Sequence, residues 1–67
     1  MDDSDIWRTA GTLVSLYGAD EAVLVAARRT DALLDQGDTE GYFVWKRVTQ
    51  AIDDLRRSKP RSDDLIH

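Results

Sequence analysis

GADEAVLVAARRTDALLDQGD, residues 18–38, runs from one glycine turn signal to the next, and its conformation decides the fold. The run Ala22-Val23-Leu24-Val25-Ala26-Ala27 is apolar almost all round, and over so short a distance a buried strand reads the same way. Three features favour a helix: the alanine content, the polar Arg28-Arg29-Thr30-Asp31 that follows, and the return of apolar residues at Leu33 and Leu34. Gly18 suits the left-handed backbone that ends a preceding helix, Asp20 is the expected cap with Glu21 in the first turn, and Gly37 closes the segment. A helix over about residues 20–36 follows, with Val23, Ala26, Ala27, Thr30, Leu33 and Leu34 as its core stripe. Leu24 and Val25 fall off that stripe, toward solvent.

On the N-terminal side, Asp3 or Ser4 is the expected N-cap of a first helix over about residues 4–17, with acidic residues complementing the positive end of its dipole. Ile6, Ala10, Leu13 and Tyr17 recur at spacings of three and four, and Trp7 and Val14 widen the stripe. Gly11, beside Ala10, is read either as a site of close helix contact or as a solvent-facing glycine. On the C-terminal side, Asp38 or Thr39 opens a third helix over about residues 39–57. Gly41, Val44, Trp45, Val48, Ala51, Ile52 and Leu55 make its apolar face, and Lys46, Arg47, Gln50, Asp53 and Asp54 fill the other. Asp53 stands four residues before Arg57, the favourable order for a surface ion pair. Pro60 bars continuation, so residues 59–67 are expected to be a frayed, flexible tail.

Helices joined by short turns must contact their sequence neighbours, so the expected fold is all-α: a compact antiparallel three-helix bundle over residues 1–58. Trp7, Tyr17 and Trp45 are the expected bulk of the core, and removal of Trp45 is expected to unfold the domain. A chain of 67 residues fits one small domain, and its 42% apolar and 33% charged content suits a folded one. Without cysteine there is neither disulfide nor thiolate chemistry. The acidic start lacks the basic region of a secretory signal, and no apolar run is long enough to span a bilayer, so a cytoplasmic location is the expectation. Charge is uneven: residues 1–41 carry nine acids against three arginines, and residues 42–61 six bases against two acids.

Ile6-Trp7, Leu16-Tyr17-Gly18-Ala19-Asp20, Ala27-Arg28-Arg29, Leu33-Leu34 with Gly37-Asp38, and Gly41 followed by Trp45, Ile52 and Leu55 together resemble a family of very small all-helical proteins from alphaproteobacteria, sphingomonads in particular. The resemblance covers about residues 5–55. It implies a short helical domain with an early Trp, a Tyr-Gly-Ala or His-Gly-Ala turn, a Gly-Asp turn and a later Trp. Tyr17 stands where a His is common in that family, and the resemblance assigns no functional residue, activity or cofactor.

Nothing in the sequence composes an active site. The single histidine is His67, and no serine has a histidine or lysine in a recognisable triad or dyad pattern. Asp31 and Asp35 share a helix face, yet the acids read as caps, first-turn residues and solvated surface. Gly37-Asp38-Thr39-Glu40-Gly41 lacks the lysine of a phosphate loop and is too short for a calcium loop. No enzyme activity, cofactor, metal or membrane association is therefore expected. Leu24, Val25 and Phe43, with Arg47 or Arg28 at the rim, are the candidate centre of a protein interface, formed with a second copy or with another protein. The alternative is a nucleic-acid contact through Lys46, Arg47, Gln50, Arg56 and Arg57, against which stand Asp53, Asp54 and the net charge of -4.

Overall fold

The computed structural model describes residues 2–58, which fold into three helices: α1 (Asp3–Tyr17), α2 (Ala19–Asp35) and α3 (Thr39–Ser58). No strand occurs among the described residues, so the alanine-rich run of α2 is helical. The expected tail, residues 59–67, lies outside the described residues.

Caps and turns explain the boundaries. The N-cap of α1 is Asp2, one residue before the expected Asp3 or Ser4; its carboxylate accepts the Asp5 N–H at 3.0 Å, which leaves Asp3 and Asp5 inside the first turn. Gly18, with φ 81°, ends α1 by donating to the Val14 carbonyl and starts α2 by accepting from the Ala22 N–H. Because one residue serves both helices, α2 begins at Ala19 and has no side-chain cap; Asp20, the expected cap, lies within its first turn. At the other end, Gly37 (φ 78°) donates to Leu34 and Asp38 to Leu33, the paired bonds of a glycine-terminated helix. Asp38 then caps α3, its Oδ1 accepting the Gly41 N–H at 3.0 Å. A Cβ on Gly41 would lie 2.7 Å from the other Asp38 oxygen, so this glycine makes room for the cap.

All three helices pack on one another, most extensively α2 with α3. Arg56 near the end of α3 reaches Asp20 at the start of α2, Thr30 faces Thr49, and the Arg29 guanidinium lies over the Trp45 ring. These pairings run in opposite directions along the two helices, which are therefore antiparallel.

The buried core consists of Ile6, Ala10, Ala22, Ala26, Val48, Ala51 and Ile52, with Leu13, Val14, Val23, Trp45 and Leu55 packed against it. Four of these seven are alanines, so the helices approach closely and leave no central volume for an indole or phenol ring. This corrects the expected aromatic core: Trp7 is 46% exposed, Tyr17 49%, and Trp45 packs from the flank, half-buried. Leu34, expected in the α2 stripe, is 56% exposed. A step of four residues overshoots a helical turn by about 40°, so the series Ala22, Ala26, Thr30, Leu34 winds round α2 and brings Leu34 out of the core. Close helix contact at Gly11 is also absent, since a Cβ there would meet nothing within 4 Å.

Candidate interaction surface

Where α2 and α3 diverge at the surface they leave a groove of about 320 Å³, lined by Ala27, Thr30, Asp31 and Leu34 from one helix and Tyr42, Lys46, Thr49 and Gln50 from the other. Its floor is polar but satisfied. The Thr30 hydroxyl donates to the Ala26 carbonyl and the Thr49 hydroxyl to the Trp45 carbonyl, each at 2.8 Å, so both protons are spent within their own helices. The two hydroxyl oxygens face one another at 3.4 Å.

One end of the groove is bulky. Leu34 and Tyr42 line it together, and the Tyr42 ring meets the Phe43 ring edge-on at 5.1 Å, which extends the apolar surface onto the outer side of α3. Phe43 is as exposed as Leu34, at 56%. The other end is lined by Ala27, Thr49 and Gln50, and is more polar. The Lys46 ammonium lies 5.7 Å from the Tyr42 ring centroid, a cation–π contact on the α3 rim, and Asp31 stands on the α2 rim. Neither Asp31 nor Lys46 has an ion-pair partner among the described residues.

The residues singled out from the sequence do not form one continuous patch. Leu24 is half exposed near the start of α2, level with the last turns of α3, whereas Phe43 lies near the start of α3, level with the end of α2. Val25 borders a separate surface pocket of about 480 Å³ with Arg28 and Arg29; Phe43 and Arg47 border another, of about 440 Å³, with Glu40 and Lys46. Lys46 and Gln50 also line the α2–α3 groove. Asp31, Leu34 and Tyr42 complete that groove and were not among the candidate interface residues, because it is made by two helices whose mutual register no local pattern encodes.

The basic end of α3 is engaged by carboxylates. Arg56 donates to Asp20 at 3.2 Å and to Asp53 at 2.8 Å, and Arg57 contacts Asp53 at 3.3 Å and Asp54 at 2.9 Å. The bond to Asp20, then that to Asp53, pushes the Arg56 guanidinium above its ordinary pKa. No group of three or more His, Cys, Asp or Glu side chains able to hold a metal occurs among the described residues. None of the described helices is long and apolar enough to cross a membrane.

Comparison of the chain with protein-family models, curated proteins and solved structures gives no match.

Proposed function

We propose that this chain is a non-catalytic helical domain that works by protein contact, and that self-association is the form this contact takes. The observation that carries the reading is the contiguous apolar surface of Leu34, Tyr42 and Phe43 beside an open groove, on a domain whose buried core is mostly alanine. A chain this small covers too little of its own apolar surface, and association with a second copy buries more. The absence of cysteine supports placing this work in a reducing compartment, the cytoplasm.

The nucleic-acid reading has less support. Of its five residues, Arg56 and Arg57 are held by carboxylates. Free cations along a groove-reading helix are what phosphate binding needs.

Sedimentation across a wide concentration range tests the proposal. Wild-type protein is expected to approach dimer mass as concentration rises, and Phe43→Asp, which places a carboxylate on the exposed patch, to remain a monomer with unchanged helicity. A wild-type chain that stays monomeric throughout would refute self-association.

A further inference from the structure

Resting on that reading, we infer that the α2–α3 groove is a two-fold interface in which a second copy of this chain docks against the same groove, Asp31 of each copy pairing with Lys46 of the other. The register of the two helices carries the argument. Arg29 over Trp45 and Thr30 against Thr49 bracket the alignment and place Asp31 level with Lys46, on opposite rims of one groove. A two-fold axis running along the groove, parallel to the helices, exchanges its rims. It brings the acidic rim of one copy onto the basic rim of the other, and does so twice.

Shape follows the same symmetry. Leu34 and Tyr42 lie on one side of the Asp31–Lys46 level, toward the turn between the helices, and Ala27, Thr49 and Gln50 lie on the other. An axis along the groove keeps every position at its own level, so the Leu34–Tyr42 end of one copy meets the Tyr42–Leu34 end of the other and the exposed apolar surface of both is buried. Asp31 and Lys46 make no ion pair with each other across the groove, so both charges are available to the second copy.

Charge exchange tests the inference by sedimentation. Asp31→Lys places lysine against lysine at both contacts of its homodimer, and Lys46→Asp places aspartate against aspartate. Each variant alone is expected to weaken self-association at least about tenfold, since facing like charges oppose docking. An equimolar mixture of the two is expected to recover wild-type affinity as a heterodimer, because both contacts then pair opposite charges. Both side chains are at the exposed rim, and circular dichroism of each variant checks that the helices persist. If wild-type protein dimerises and Phe43→Asp abolishes this while the charge variants and their mixture associate as wild type does, the pairing is overturned and self-association stands. If wild-type protein never dimerises, both fall together.

Discussion

Replacing Ile52 with alanine should damage this domain far more than removing either exposed aromatic ring. Ile52 is completely buried, the largest side chain to be so together with Val48, and it sits in a cluster built from all three helices. Truncation to alanine removes about three methylene equivalents, worth roughly 0.8 kcal/mol each in transfer. The neighbours Ala22, Ala26 and Ala51 are too short to fill the space, so a cavity term adds to this and the total reaches about 3–4 kcal/mol. A core of this size rarely supplies more than about 3–5 kcal/mol in all, so Ile52→Ala should be largely unfolded at room temperature. Trp7→Ala is the control, since nearly half of Trp7 is already exposed in the folded state. Its cost should be about 1–2 kcal/mol, well below the figure for a buried tryptophan. Urea denaturation followed by far-UV circular dichroism measures both. A cooperative transition in Ile52→Ala at a higher midpoint than in Trp7→Ala would refute the alanine-lined core and restore the aromatic one.

Two further substitutions probe the local structure. Gly11→Ala should stabilise the domain by up to about 1 kcal/mol, raising the thermal midpoint by about 4–8 °C, because the new methyl group meets open space and the helix gains a better former; a lower midpoint would reveal a contact at that site. Asp38→Ala should cost about 1 kcal/mol by removing the cap on α3. Gly41→Ala should be more favourable in that background than in wild type, since its Cβ then no longer displaces the cap carboxylate; strict additivity in a thermal double-mutant cycle would contradict this geometry.

The three-helix layout is the one expected from the turn signals and the apolar periodicities. Much of that layout was legible because its determinants are local. Gly18 and Gly37 mark the two reversals, Asp38 announces its own cap, and the α3 face of Val48, Ala51 and Ile52 is a run of threes and fours. Misreadings arose where two local signals competed or where depth mattered. Asp20 and Gly18 both qualify to start α2, and a link of one residue favours the glycine. Periodicity gives the direction in which Trp7 and Tyr17 point, but how far each is covered depends on the separation of the helices, which the alanines set.

The sequence by itself determined how many helices form, where they reverse and which broad face of each turns inward, since hydrogen bonds and steric preferences over a few residues suffice for these. Tertiary structure alone decided that Leu34 emerges from its stripe, that the aromatic rings lie outside an alanine-lined centre, and that Asp31 stands across a groove from Lys46. Those outcomes depend on the angular drift of side chains around a helix and on the register of one helix against another. Both are fixed only when distant segments pack together.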